Sequence, residues 1–589
     1  MRSWKAFLQA FITLAGAYYS HEETRWHARA LTLVLVLLTV AQAAVPISVN
    51  GWSEYLFDAL ERRDLFTFLH ALGYLLLIVG GSVVVMTAHL YIKRRLQIGW
   101  RAWLTSRLLN EWLDASCMPH VQRSPTDEDN PDGRIAEDAR ISCEYAVDLA
   151  HSALYCLLLL VSFTQILWGL SGALSIHLGS LNLPLPGHLV WFALIYGATG
   201  TAISLVLGRS LVRTANHRQR READFRFGLV HTRQNTLSIA LRQCEPDERR
   251  RLWALFSVVL QAWEKQSDAL RSLFFFSSGW STLSQTVPFL VAAPRYIAGT
   301  ITLGTLMQTA QAFQQMIGAL AWPIDNMPKL AEWRASVERV LGLHQSLQHS
   351  ERPSPAAPGK GIELALGETP ALSLNGLTIE QPNGQVLLED VHTQIQPGDR
   401  VLISGDPATA VKLFRVVGGL WPWGRGRVEL PEGSSIFFMP RRPYLPTATL
   451  RDVIACPPQA EAVDDATIRQ ALQTVGLSRL TPLLGRRGEW EQDLDAGDKQ
   501  RIGFARLLLQ RPHWIFINNA IDALDPAGKA QMLALLREQF PQATIVTIGE
   551  NGLLSDFHGR RLTITRAGDR AHVIEQPIAA APISPERHE

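Results

Sequence analysis

Apolar positions follow two patterns along the chain. Near 30–47, 71–92, 151–170 and 188–208 the side chains are apolar through almost the whole stretch. About 20 such residues cross a bilayer as a helix. A fifth stretch, near 273–293, carries Ser, Thr and Gln but no charge. A sixth, near 303–321, sets Gln308, Gln311, Gln314 and Gln315 among apolar neighbours. That mixture suits a helix facing a watery cavity. Six crossings also keep both chain ends on one side. Later in the chain the apolar runs shorten. Trp514–Ile517 and Ala543–Ile548 read as buried parallel strands, and Leu413–Gly419 reads as a helix. Strands alternating with helices predict an α/β fold of the P-loop type.

Basic residues orient the membrane half. Lys93, Arg94, Arg95, Arg101 and Arg107 follow the second stretch; Arg209, Arg213, Arg218, Arg220 and Arg221 follow the fourth. The opposite loops hold Arg62, Arg63 and Arg295. Both termini and the second domain are therefore expected in the cytoplasm of a bacterial cell, with the chain multi-pass in the inner membrane. The connections His89–Ala150 and Arg209–Ser272 are too long for ordinary loops and carry Trp, Leu and Arg at helical spacing. They predict helices that run past the bilayer and return as cytoplasmic prongs. The first apolar run starts too late and runs too long for a cleaved signal, so it is expected to remain as an anchor.

With 589 residues the chain needs more than one core. The expected division is a membrane domain over 1–345, a linker over 346–370, a second domain over 371–573 and a flexible tail over 574–589. A net charge of +2 gives no reason to expect nucleic acid as a partner. The five cysteines have neither metal-type nor redox-pair spacing, so no metal site is expected.

Particular segments carry a resemblance. Asn50–Leu60 (NGWSEYLFDAL), Asn130–Asp138 (NPDGRIAED), Glu222–Leu229 (EADFRFGL), Leu303–Phe313 (LGTLMQTAQAF) and Ala331–Leu341 (AEWRASVERVL) resemble the SbmA/BacA-like membrane domain. Leu420–Gly424 (LWPWG), Arg442–Leu445 (RPYL), Thr449–Val453 (TLRDV), Gln500–Pro512 (QRIGFARLLLQRP) and Asp522–Gly528 (DALDPAG) resemble ABC nucleotide-binding domains fused to it. A more distant resemblance is to peroxisomal ABC half-transporters. The resemblance implies six transmembrane helices in the exporter-type ABC layout, a dimer of two halves, and inward movement of a peptide or bulky hydrophilic solute. It also implies ATP and Mg²⁺ as cofactors. Members without a nucleotide domain resemble proton-driven carriers.

The cofactor expectation meets an obstacle in the residues. A phosphate loop has the spacing G-x-x-x-x-G-K-[ST]. Here the matching stretch is Gly405, Asp406, Pro407, Ala408, Thr409, Ala410, Val411 and Lys412. Only the first glycine remains, and Lys412 is one position late. The Asp-Glu pair that holds Mg²⁺ and orients the attacking water is replaced by Asn518 and Asn519. Arg441 stands for the Mg²⁺-sensing glutamine and Glu550 for the switch histidine. The signature motif reads Leu494-Asp495-Ala496-Gly497-Asp498, with Asp495 at its serine; Asp525 of the following segment is kept. ATP hydrolysis is expected to be lost and ATP-Mg²⁺ affinity weak or absent.

If ATP does not drive transport, an ion gradient is the next source. Glu54 and Asp58 near the outer face, Glu144, Asp148 and His151 leading into the third stretch, and Glu222 after the fourth are the proton-linked candidates. A pair such as Glu222 with Arg226 has an ordinary structural reading instead. Three functions stay open: a homodimeric gradient-driven importer, an ATP-dependent heterodimer with an active half, and a non-transporting regulatory subunit.

Overall fold

The computed structural model describes residues 4–113, 131–172, 174–178, 181–351, 361–367, 369–456, 463–549, 552–568 and 570–577. Chain contacts separate two units, Met1–Glu351 and Arg352–Glu589. The first is built of helices: α1 (Trp4–Ser20), α2 (Arg25–Glu61), α3 (Leu65–Leu113), α4 (Ala139–Leu170), α5 (His188–Gln234), α6 (Thr236–Arg242), α7 (Glu245–Ile297), α8 (Leu303–Asp325) and α9 (Met327–Glu351). A five-residue π turn, Arg134–Asp138, leads into α4. A hairpin of β1 (Leu174–Leu178) and β2 (Leu181–Leu185) follows it.

Among the described residues, four helices have both the length and the composition to cross a membrane: Arg25–Glu61, Leu65–Leu113, Pro131–Leu170 and His188–Gln234. Only 6–28% of each apolar window is buried inside the unit. Leu33, Leu37, Leu76, Leu77, Val84 and Ile195 are exposed, as lipid-facing side chains are. The fifth and sixth apolar stretches lie on α7 and α8. At 1.5 Å per residue, the 49 residues of α3 span about 74 Å, and the 53 of α7 about 80 Å. Both far exceed the roughly 30 Å hydrocarbon core. The described parts of the two long connections are helical, broken only at α6. Two apolar clusters hold the unit together. One gathers Phe7, Tyr18, Leu104 and Trp333; the other gathers Phe163, Leu167, Phe313 and Met316.

The second unit is a ten-stranded sheet with helices packed on it. Its strands are β3 (Gly361–Gly367), β4 (Leu372–Glu380), β5 (Val386–Ile395), β6 (Arg400–Gly405), β7 (Gly424–Pro431), β8 (Ile436–Met439), β9 (Trp514–Asn518), β10 (Thr544–Ile548), β11 (Arg560–Ala567) and β12 (Arg570–Pro577). Their order is β3-β7-β4-β5-β12-β11-β6-β10-β9-β8. The strands β8, β9, β10, β6 and β11 run parallel. Every residue of β9 and β10 is buried, as for strands covered on both faces. Three helices matter below: α10 (Pro407–Val417), α11 (Ala496–Gln510) and α12 (Pro526–Gln539).

Two expected boundaries move. The linker is shorter than 346–370: α9 continues to Glu351, and β3 begins at Gly361 because Ile362, Leu364 and Leu366 lie in a strand paired with β7. The tail begins later than 574, because β12 pairs antiparallel with β11 as far as Pro577.

Candidate functional site

The parallel strands β6 and β9 flank β10, and Gly405, Asp406, Asn518 and Asn519 lie at their ends. Gly405 closes β6 at φ +99°. A Cβ there would overlap the carbonyl of Ile564 on β11, so the glycine is demanded by strand packing alone. Asp406 is the single residue between β6 and α10. Its own N–H donates to Ile564 O at 3.1 Å. Its carboxylate Oδ2 accepts from the Thr409 N–H at 3.0 Å and the Thr409 hydroxyl at 2.5 Å. The stretch read as a phosphate loop is therefore a correction: Pro407 to Lys412 are already helix. Aspartate at the N-cap followed by proline at the first helical position is a strong helix start.

This junction removes the usual anion cradle. A helix N-terminus receives a phosphate through free N–H groups. Pro407 has none, and the Thr409 N–H is taken. The hydrogen bonds from Thr409 hold the Asp406 carboxyl below the usual carboxylate range; burial works against this, and Arg566 and Lys412 add to it. The site thus carries a fixed negative charge. A helix terminus favours an anion by about 0.3–1 kcal/mol. Two like charges about 4 Å apart at an effective dielectric of ~20 repel by about 4 kcal/mol. Repulsion wins. Lys412, whose Nζ lies 5.8 Å from the centre of the Trp421 ring, is already engaged with the Asp406 charge.

The end of β9 places the two asparagines. Asn518 is buried beside Ile548 of β10. Asn519 follows at φ +51°, a left-handed conformation that Asn tolerates, and its N–H donates to Ile548 O at 3.0 Å. Neither side chain carries a charge to hold Mg²⁺ or accepts a proton from water. Gln500 of α11 ties the region together. Its amide donates to Arg441 O at 3.3 Å and Asn519 O at 3.4 Å, and its oxygen accepts from Ala523 N–H at 3.0 Å. Arg441, Arg442 and Lys499 line one cavity of about 420 Å³ there. Asp495, Gly497, Asp498 and Asp525 line another of about 370 Å³.

The signature segment repeats the first motif. Asp495 caps α11 by accepting from Asp498 N–H at 2.7 Å, and Asp498 in turn pairs with Arg479. Asp525 caps α12 through Gly528 N–H at 3.1 Å. Glu550 lies outside the described residues. Sequence reasoning missed Arg566 on β11, which sits far along the chain with no motif to mark it.

In the membrane unit Glu54, Asp58, Glu144 and Asp148 all meet partners. Leu303 N–H donates to Glu61 Oε2 at 2.9 Å, and Gly304 N–H to Asp58 Oδ1 at 3.0 Å. The Thr305 hydroxyl lies 3.5 Å from Glu54 Oε1. Glu54 and Asp58 thus face the N-terminus of α8. Asp148 is shared by Lys93 at 3.2 Å and Lys329 at 2.6 Å, with Gln97 donating at 2.9 Å. Glu144 pairs with Arg140 at 3.1 Å. Among the described residues no ion pair joins Glu222 to Arg226; the neighbouring pair is Arg221 with Asp224 at 3.2 Å. His151 meets His89, which the sequence reading did not single out, with ring centres 4.1 Å apart.

Long apolar helices followed by a mixed sheet with five parallel strands at one side are the layout of ABC half-transporters, and the similarities point the same way. Residues 23–297 match the family described as ABC transporter transmembrane region 2. The inner membrane ABC transporter ATP-binding protein YddA of Escherichia coli is 27% identical over 521 residues, 88% of this chain and 91% of its own length. The chloroplastic ABC transporter D family member 2 of Arabidopsis thaliana is 26% identical, covering 96% of this chain and 87% of its own. The human lysosomal cobalamin transporter ABCD4 is 24% identical, with 95% of each chain covered. A bacterial Atm1-family ABC exporter solved with ATP bound superposes with a TM-score of 0.70 at 15% identity, over 92% of this chain and 94% of that one. The chain is homologous to ABC half-transporters and has the Atm1-type exporter fold.

Proposed function

We propose that the chain is one half of a dimeric inner-membrane transporter of the SbmA/BacA-like kind, with six membrane helices, that moves a peptide or bulky hydrophilic solute and has lost ATP hydrolysis. One observation carries this reading: the Asp406 carboxylate fills the helix N-terminus where a triphosphate would sit. The residues present do not fit ATP with Mg²⁺. The loop is gone, its lysine position holds Val411, and Asn518 and Asn519 replace the metal-holding and water-orienting acids. The sheet core is nevertheless complete, from Val401 and Ile403 to Phe516 and Val546. A unit that keeps its core without its charged edge is suited to act as a scaffold. The gradient-driven importer is the reading this supports, with both termini cytoplasmic.

The names of similar proteins favour a second reading. YddA is called ATP-binding, and a dimer with an active half would supply one working site. The purified full-length chain separates the two. The expected outcome is no phosphate release from ATP and no saturable ATP binding with Mg²⁺. Phosphate release by the protein alone, abolished by Asn519→Ala, would overturn the loss of hydrolysis.

A further inference from the structure

The membrane unit holds a titratable cluster that the resemblance does not mark. His89 of α3 is 6% exposed, and its Nε2 has no hydrogen-bond partner. The ring of His151 on α4 lies against it, 4.1 Å between centres. Gln42 of α2 is 3.4 Å from His151 Nε2 through its Oε1, so that nitrogen carries the donated hydrogen. Tyr155 stacks beyond, at 6.4 Å. Helix α3 contributes Lys93, α4 contributes Asp148 and α9 contributes Lys329, joined in one chain of ion pairs. Helix α8 bears one charged residue, Asp325, at its end. Helix α5 meets α4 at the other end, where Leu189 N–H donates to Ser171 Oγ at 3.3 Å.

We propose that His89 and His151 form the proton-binding site that couples transport to a proton gradient. This rests on the gradient-driven reading above. The pair has room for one proton, because two imidazolium rings about 4 Å apart repel by about 4 kcal/mol at an effective dielectric of ~20. The nearest cation, Lys93, opposes even that one, and the nearest anion, Asp148, is already held by two lysines. In the packed arrangement the unpartnered Nε2 of His89 is buried away from water. When α2, α3 and α4 part and water reaches the free Nε2 of His89, the proton is accepted. A site that gains a proton in one packing and loses it in the other is what coupling requires. The paired Asp148 serves as a fixed neighbour, while Glu54 and Asp58 hold α8.

The test needs no knowledge of the solute. Full-length protein in phospholipid liposomes is adsorbed on a solid-supported membrane, and the charge displaced by a pH jump is recorded with protons as the only probe. The wild type should give a transient current. His89→Gln and His151→Gln should lose it, while His70→Gln, at an exposed histidine, should keep it. Gel filtration and melting confirm the fold of each variant. Should His89→Gln not fold, His151→Gln and Gln42→Leu carry the test: loss of current in the first and a displaced pH midpoint in the second are expected. A wild-type current surviving in His151→Gln would overturn the pair but leave the gradient-driven reading intact. No current in the wild type would overturn both.

Discussion

Among the helix N-termini that carboxylates close, α8 and α10 show opposite consequences. At α8 the acids come from another helix. Asp58 and Glu61 of α2 reach the N–H groups of Gly304 and Leu303, so satisfying those donors also fastens α2 to α8. At α10 the acid is the helix's own cap. Asp406 satisfies Thr409 and ties no distant element through its side chain, yet it takes the seat that a phosphate needs. The same physics, a negative charge at the positive end of a helix, joins two helices in one unit and closes a single helix start on itself in the other. What differs is whether the donors would otherwise have served a ligand.

The comparison can be broken at its tightest point first. A Cβ on Gly304 would meet the Glu54 carbonyl and the Asp58 carboxylate. Gly304→Val should push α2 and α8 apart and cost about 3 kcal/mol, read as a lowered Tm in detergent. An unchanged Tm would mean that the two helices do not pack this closely. Removing the acids is milder. Asp58→Ala with Glu61→Ala should cost about 1–2 kcal/mol, since water can reach part of the freed terminus.

The α10 cap is the smallest effect and the sharpest. Asp406→Ala should cost about 1 kcal/mol, and Asp406→Asn less. Because the folded carboxyl is held below its ordinary value of 3.8, its stabilisation is fully present above that value and is lost as pH falls through the lower folded value. Melting curves of the wild type should therefore lose this increment only in strong acid, and those of Asp406→Asn should not. If Asp406→Ala alone conferred saturable ATP binding, the self-cap would be the whole obstacle; the expectation is that Val411, Asn518 and Asn519 still prevent it.

Much of the architecture could be read from the order of side chains. Uninterrupted apolar stretches mark α2 to α5, because lipid imposes composition on every exposed position. Short runs such as Trp514–Ile517 mark strands covered on both faces. The departures from motif residues at 405–412 and 518–519 could be read because motif spacing is local. The geometry at Asp406 is half visible: an Asp-Pro start signals a helix cap, but the same residues also align with a phosphate loop. Glu54 and Asp58 were harder. Their partners lie near residue 304, and no local pattern tells a carboxylate facing a helix terminus from one facing water. The meeting of His89 with His151 is likewise a product of packing, set by how α3 lies against α4.

The length of α7 has a mechanical consequence. A stiff rod of about 80 Å amplifies rotation: turning it by about 10° at one end carries the other end through roughly 14 Å. Pro288 and Pro294 interrupt its hydrogen-bond ladder close to one extremity, leaving a long unbroken shaft on the other side of them. Slight rearrangement around those prolines would sweep the elbow at α6 through a distance several times the width of a side chain.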